Sequence, residues 1–259
     1  MAKSNNNTND QSTYLGRLIT FVDPHLTELD QRIRQAWKAF MANKAELTNK
    51  RYSLRCRLRL FDSVVTPTVL YGSSTWTLTQ VLQDKLQRTQ RRMLRMILGS
   101  GRRQLVPAPS SGSSAASSGN DVDSNPDALP VESNAEAEET SNGLEPWVEW
   151  IQRTTRQIEH QLETYKIDNW ITKWRKRVWT WAARVASYDD FRWARRALEW
   201  SPATTSPLCR RQARPRKRWD QDIVDFLVST GYDTAATTWI HVAQDSKLWT
   251  SLADQFAGS

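Results

Sequence analysis

The sequence TQVLQDKLQRTQRRMLRMILG, residues 79–99, predicts an amphipathic α-helix around which the neighbouring chain is organised. Positions three or four residues apart fall on one side of a helix. That side carries Leu82, Leu86, Thr89, Met93 and Ile97. Gly99 follows the last of these positions and is a typical helix stop. We expect a helix over 79–98 that packs this side against a core.

The opposite side of the predicted helix is basic. It carries Lys85, Arg88, Arg91, Arg92 and Arg95, and Arg102 and Arg103 follow just beyond the helix end. No acid interrupts the series between Asp84 and residue 104. A solvated face normally mixes charges of both signs, so this series favours contact with phosphate groups over plain solvation.

Two further helices are predicted before this one. The first begins at Asp23 and Pro24, a capping residue followed by a proline that fits the first turn. Its inward stripe is Leu26, Leu29, Ile33, Trp37, Phe40, Lys44 and Leu47. The second begins near Ser53, with Leu54, Leu58, Phe61 and Val65 inward, and Pro67 should kink or end it. Ahead of both, TYLGRLITF (13–21) alternates like one short strand.

Residues 104–146 have a different composition. They contain no Lys, Arg or aromatic residue, and they carry eight acids. Such a segment buries too little apolar surface to offset its conformational entropy, so it predicts a disordered acidic linker. Before it, 14–103 hold 17 basic and 6 acidic residues; after it, 147–259 hold 18 and 13. We expect a disordered tail over 1–13 and two separate basic domains, a three-helix bundle and a Trp-rich helical domain.

Eleven of the 13 Trp residues follow the linker. Helical stripes predict helices from Trp147 to about Tyr165, from Trp170 through Val185, from Asp189 to about Trp200, from Trp219 to just before Gly231, and over 235–243 and 246–257. The second of these helices has an inward stripe of Trp170, Trp174, Val178, Trp181 and Val185. This spacing favours core packing over base stacking for most Trp residues. The whole chain predicts a mainly α fold.

The sequence lacks the residue patterns that are typical of several classes of protein. Two cysteines and three scattered histidines provide neither a disulfide framework nor zinc-ligand spacing. No apolar run reaches 18 residues and no secretory leader is present, so we expect an intracellular protein of the nucleus or cytoplasm with no membrane partner.

The Gly-rich phosphate loop, nucleophile elbow, HExxH and Tyr-x-Asp-Asp motifs are all missing. Asp189, Asp190, Asp220 and Asp222 lie at predicted helix starts, where acids match the helix dipole. We expect no catalytic residue, cofactor, metal site or small-molecule substrate.

The run CRRQARPRKRWDQD, residues 209–222, is the densest stretch of positive charge. It carries Arg210, Arg211, Arg214, Arg216, Lys217 and Arg218. Pro215 favours an extended backbone, which suits a loop that follows phosphates. The net charge of +8 and the pI near 9.7 also favour a polyanionic partner. We interpret the run first as a nucleic-acid clamp that is not neutralised by the protein's own acids, and second as a nuclear-import signal. The two roles are compatible.

Several of these segments together resemble non-LTR (LINE-type) retrotransposon reverse transcriptases. The run TPTVLYGSSTWTLTQVLQDKLQRTQRRMLRMILG (66–99) is similar to the region after the polymerase palm, where LYG, a following Trp and an RRMLR-type helix recur in this order. TYLGRLIT (13–20) resembles the primer-grip segment, with Tyr14, Leu15 and Gly16 as the matching residues. WTWAARVASYDDFRWARRALEW (179–200) and RQARPRKRW (211–219) resemble the C-terminal region, although Ala213 stands where the family has Gly.

The resemblance implies a helical thumb directly after the primer grip, followed by a post-polymerase region. It also implies RNA or DNA partners as template, primer or target. In the family, the palm and its metal-binding aspartates precede the position of Tyr14, so we expect this chain to lack polymerase activity of its own. A helical protein-interaction module with incidental charge, or an inert truncated remnant, are the alternatives.

Overall fold

The computed structural model describes residues 11–20, 23–104, 143–188, 217–232 and 238–259, together with Trp193 and Arg196. The predicted mainly α fold is confirmed. The helices are α1 Pro24–Ala42, α2 Lys44–Thr48, α3 Leu54–Val69, α4 Gln80–Leu98, α5 Trp147–Thr164, α6 Trp170–Ala186, α7 Gln221–Ser229, α8 Thr238–Gln244 and α9 Ser246–Gly258. None of these described helices is both long enough and apolar enough to cross a bilayer.

The N-terminal segment is a hairpin rather than the single strand that alternation predicted. Strand β1 (Gln11–Tyr14) pairs antiparallel with β2 (Arg17–Thr20), so part of the predicted tail over 1–13 is paired as well. The chain reverses at Leu15 and Gly16, which have φ values of 47° and 75°. Alternation did not reveal this turn because leucine rarely adopts a left-handed conformation.

The first predicted helix is divided in two. It breaks at Asn43, whose side-chain amide donates to the carbonyl of Ala39 at 2.8 Å. Lys44, the one charged residue in the predicted stripe, is therefore exposed at the start of α2. The helix begins at Pro24 as expected, but the side chain of Asp23 does not cap it, because Asp23 is in a left-handed conformation with φ 41°.

Helices α3 and α4 follow the predictions closely. Ser53 caps α3 by accepting a hydrogen bond from the backbone N–H of Cys56. Pro67 lies inside the last turn of α3, which ends two residues later at Val69. Helix α4 ends at Gly99, which has φ 63° and donates to the carbonyl of Arg95 at 3.0 Å. The stop signal at Gly99 is confirmed.

The two helical regions share one hydrophobic core. Trp170, at the start of α6, stacks on Phe61 of α3 with ring centroids 5.7 Å apart. Its indole N–H donates to Thr66 Oγ1 at 2.9 Å, and its backbone N–H donates to Gln90 Oε1 at 3.0 Å. A ring with no exposed surface thus joins α3, α4 and α6. The division into two domains stays a prediction, but the cores on either side of residues 104–146 are continuous.

A Trp pair centres the C-terminal part of this core. Trp179 stacks on Trp249 at 3.7 Å, and each indole N–H donates to the backbone carbonyl of the other residue. The prediction that Trp181 points into the core is wrong. Trp181 is half-buried, and Trp179, two residues earlier, is buried instead. Ala182 fills the inward position beside Trp179, where a small residue allows close packing. The predicted helix over 189–200 lies outside the described residues, apart from Trp193 and Arg196.

The ends of the predicted acidic linker are ordered against the helices, while residues 105–142 lie outside the described part of the chain. Gln104 and Leu144 form an isolated antiparallel bridge. Next to it, the Glu145 carboxylate accepts two hydrogen bonds from Arg153, at 2.8 and 2.7 Å, and one from the backbone N–H of Arg103 at 3.2 Å. The prediction of disorder is therefore wrong at Glu145, because these donors satisfy its charge.

Candidate nucleic-acid interface

The basic side of α4 is positioned by the burial of its other side. Leu86, Met93 and Ile97 have at most 1 % of their surface exposed, which fixes the rotation of the helix. Arg88 and Arg92 are consequently exposed, and the other basic residues of this side, Lys85, Arg91 and Arg95, are half-buried. We call these five residues the α4 ridge.

Acids from other helices neutralise two members of the α4 ridge. Lys85 Nζ lies 2.5 Å from Asp30 Oδ1 on α1, and Arg91 Nη2 lies 2.6 Å from Glu159 Oε1 on α5. The sequence showed an uninterrupted basic series because both partners are more than 50 residues away along the chain. The ridge therefore keeps three charges without a carboxylate partner in the described part of the chain, at Arg88, Arg92 and Arg95.

Two of these three guanidinium groups lie over aromatic rings. Arg92 Cζ is 5.4 Å from the ring centre of Trp37, and Arg95 Cζ is 5.9 Å from that of Trp150. Burial, together with the positive charges of Arg91 and Arg92, lowers the pKa of Arg95. Arginine remains protonated in proteins, so this repulsion is relieved when an anion binds nearby.

A groove runs along the exposed part of the ridge, between α1 and α4. Its volume is about 540 Å³, and it is lined by Trp37, Val81, Asp84, Lys85, Arg88, Thr89 and Arg92. Val81 is 75 % exposed and Trp37 is half-buried, so the groove offers apolar surface beside its cations. Its one carboxylate, Asp84, accepts a hydrogen bond from Gln80. Phosphates with attached bases match this combination of charge and ring surface.

Sequence reasoning did not single out two cations on α1, the helix that contributes Trp37 to this groove. Arg34 and Lys38 are exposed on α1, four and eight residues after Asp30. Residues at this spacing lie on one side of a helix, so they continue the side of α1 that meets Lys85. Their four-residue spacing was visible in the sequence, but only the contact between Asp30 and Lys85 identifies which side of α1 borders α4.

The basic run at 209–222 is described only from Lys217 onward, so Arg210, Arg211, Arg214 and Arg216 lie outside the described residues. Lys217 Nζ lies 2.5 Å from Asp222 Oδ1 and donates to the carbonyl of Leu78 at 3.1 Å. Arg218 donates to both carboxylate oxygens of Asp220, at 3.1 and 3.2 Å. The expectation of a run free of the protein's own acids is therefore wrong for these two residues. Trp219 is half-buried and packs edge-on against Trp239, just before α7 begins at Gln221.

The segment that resembles a primer grip forms the exposed tip of the hairpin. Tyr14 and Leu15 are 64 % and 75 % exposed. The tip is held to the body by its backbone, since the Gly16 carbonyl accepts from Arg32 and the Leu15 carbonyl accepts from Tyr71 Oη. Tyr71 belongs to the LYG run, and Arg32 also lies over its ring at 4.6 Å. The structure thus brings together the TYLG and LYG segments, which are more than 50 residues apart.

Groups of three or more His, Cys, Asp or Glu side chains that could hold a metal ion do not occur among the described residues. The basic and aromatic side chains are the chemically distinctive feature of this surface.

Comparison with known proteins supports a transposon-related origin. An uncharacterized transposon-derived protein of Caenorhabditis elegans is 25 % identical to this chain over 241 residues, which cover 93 % of this chain and 68 % of that protein. No protein-family model matches the sequence. No solved structure matches it either.

Proposed function

We propose that this chain binds RNA or DNA through the α4 ridge, as the thumb and C-terminal portion of a non-LTR retrotransposon reverse transcriptase. One observation carries the proposal: Arg88, Arg92 and Arg95 lie on one side of a well-packed helix without carboxylate partners in the described part of the chain. The resemblance of residues 66–99 to the region after the palm supports it, as does the similarity to a transposon-derived protein.

The dimensions of the ridge suit a nucleic-acid strand. Arg88 and Arg95 are seven residues apart, which corresponds to about 10 Å along a helix. Measured along the axis of a duplex, the phosphates of one strand are spaced about every 3.4 Å, so a ridge that lies along this axis spans roughly three of them. Each guanidinium can donate two parallel hydrogen bonds to one phosphate. Such contacts fix the position of a strand without reading its sequence.

The hairpin tip has a matching role in this proposal. Tyr14, Leu15 and Gly16 act as the primer-grip element, presented to a strand by the backbone bonds from Tyr71 and Arg32. The chain supplies the grip and the thumb, and it has no polymerase activity of its own. Arg210, Arg211, Arg214 and Arg216 add further phosphate contacts.

A charge-matched comparison tests the proposal. Arg88, Arg92 and Arg95 are changed together to Gln, and a control variant carries Gln at Arg51, Arg55 and Arg59, three exposed positions in and before α3. Fluorescence anisotropy with a labelled single strand and a labelled duplex gives the affinities. The ridge variant should bind both at least tenfold more weakly than the control. Equal affinities would contradict the proposal.

A protein-interaction module is the second candidate, and one observation favours it. Trp147 is 50 % exposed and Val148 is 62 % exposed at the start of α5, where Trp147 packs against Trp150 at 4.7 Å. Exposed aromatic residues of this kind are common in protein interfaces. Docking through them depends little on salt, whereas phosphate binding weakens steeply as salt rises. The salt dependence of binding separates the two candidates.

A further inference from the structure

One side of helix α6 is a second basic surface of the protein, in addition to the α4 ridge, and sequence analysis did not single it out. Arg177, Thr180, Trp181 and Arg184 recur at three- and four-residue spacing, so they lie together on one side of the helix. The opposite side packs Val178, Ala182 and Val185 into the core. Neither this side of α6 nor its cavity shares a residue with the α4 ridge.

This side of α6 faces a tight turn and forms an open-sided cavity with it. Gly72 has φ 67°, and it turns the chain into the short 3-10 helix Ser73–Thr75. The cavity has a volume of about 350 Å³ and is lined by Gly72, Ser73, Ser74, Lys176, Arg177, Thr180, Trp181 and Arg184. None of these lining residues is acidic. A volume of this size is in the range of small-ligand sites.

The Ser73 hydroxyl gives an independent indication of a ligand. Ser73 is only 1 % exposed, and its Oγ has no hydrogen-bond partner in the described part of the chain. Buried hydroxyl groups are nearly always hydrogen-bonded, so this unpartnered one, on a residue that lines the cavity, indicates a missing partner. A hydroxyl can donate to an anionic oxygen.

The charges around the cavity are unevenly neutralised. Lys176 is paired with Asp168 at 2.9 Å and with Asp254 at 3.4 Å. Arg177 donates to the carbonyl of Leu70, which orients its guanidinium, and no carboxylate pairs with it among the residues that the structure describes. Arg184 is exposed and has neither an ion pair nor a side-chain hydrogen bond in the described part of the chain. An anion in the cavity would meet the charges of Arg177 and Arg184.

We propose that the cavity between α6 and the Gly72–Ser74 turn binds a nucleotide phosphate, with the half-buried ring of Trp181 stacking on the attached base. Arg184 and Ser73 Oγ donate to the phosphate oxygens, and Arg177 is held beside them by Leu70. The ligand is either a free nucleotide or one nucleotide of a single strand. The strand case rests on the proposed function, and the free-nucleotide case does not. Stacking on Trp181 makes the site tolerant of base identity.

Calorimetric titration of the full chain tests this site with three probes: inorganic phosphate, adenosine monophosphate and a single strand of ten adenylates. Arg184→Gln should weaken binding of the nucleotide, the strand or both by about tenfold, because a charge-assisted hydrogen bond is lost. Ser73→Ala should weaken the same binding without lowering Tm, since the hydroxyl has no hydrogen-bond partner among the described residues. Trp181→Leu should abolish the preference for adenosine monophosphate over phosphate. Arg55→Gln is the control and should change nothing.

The outcomes distinguish the two ligand sources and the two proposals. If the variants lose affinity only for the single strand, the ligand is a nucleotide of a strand. If they lose affinity only for adenosine monophosphate, the ligand is a free nucleotide. If Arg184→Gln and Ser73→Ala bind all three probes as the unaltered protein does, the cavity proposal is wrong. The proposed function still stands in that case if the α4 ridge variant loses the strand. A protein that binds none of the probes contradicts both proposals.

Discussion

Tyr71 Oη donates a 3.1 Å hydrogen bond to the backbone carbonyl of Leu15, which joins the LYG run to the tip of the hairpin. Both segments resemble parts of reverse transcriptases, but nothing in either one shows that they meet. Because the bond uses a backbone carbonyl, the side chains of Tyr14 and Leu15 remain exposed. The contact therefore orients a tip whose side chains are available to a partner.

Tyr71→Phe should loosen this tip selectively. The change removes the hydroxyl but keeps the ring beneath Arg32, so global stability should fall by at most about 1 kcal/mol. Backbone amides of β1 and β2 should exchange with deuterium faster, while those of α4 should not. Unchanged exchange in the hairpin would show that its other contacts hold it without this bond. Among them, Glu28 accepts from Leu18 N–H at 2.7 Å, and Arg17 donates to Thr75 Oγ1 at 2.6 Å.

The hydrogen-bonded carboxylate of Glu145, at the ordered C-terminal end of the predicted linker, should make the free energy of unfolding depend on pH. Hydrogen bonds from Arg153, and more weakly from Arg103, lower the pKa of Glu145 from 4.5 to about 2. A carboxyl with a depressed pKa stabilises the folded state fully above its ordinary pKa, and this contribution is lost as the pH falls from about 4.5 to about 2. In urea titrations, the protein should be more stable than Glu145→Gln at pH 6, and the difference should shrink towards pH 2. A difference independent of pH would contradict the assigned bonds.

The shared core predicts one unfolding transition for the two helical regions. Trp170→Ala removes a fully buried ring between α3, α4 and α6, and it should cost roughly 3–5 kcal/mol. Denaturant unfolding, followed by circular dichroism and by Trp fluorescence, should give coincident curves before and after the change. Trp147→Ala, at a half-exposed position, is the control and should cost much less. Two separate transitions would favour independent domains, and the absence of any cooperative transition would favour an inert remnant.

The chain should not extend a primer. Phosphoryl transfer by polymerases depends on carboxylate-bound metal ions, and the described residues include no group of three or more His, Cys, Asp or Glu side chains that could hold one. Incubation with a primed template, dNTPs and Mg²⁺ or Mn²⁺ should leave the primer length unchanged on a sequencing gel. Metal-dependent extension that persists through stringent purification would overturn this expectation.

The sequence predicted the structure best in segments whose conformation is decided by residues close together in the chain. Helix α4 was predicted nearly to the residue because its stripe is regular and Gly99 ends it. The hairpin was missed because its turn requires a left-handed leucine, which alternation does not signal. The partners of Lys85 and Arg91 could not be predicted, because Asp30 and Glu159 meet α4 only through tertiary packing. Trp181 was predicted inward because it fits the three- and four-residue spacing of the stripe, whereas Trp179 is buried through tertiary packing against Trp249, which spacing does not reveal.

The most direct test of the account is the salt dependence of nucleic-acid binding. Affinity for a single strand and for a duplex should be measured from low to moderate salt, for the unaltered protein and for the variant with Gln at Arg88, Arg92 and Arg95. If all three side chains neutralise phosphates, the slope of log affinity against log salt should become shallower by about two units for the single strand and about three for the duplex. An unchanged slope would mean that the α4 ridge is only solvated, and it would contradict the proposed function.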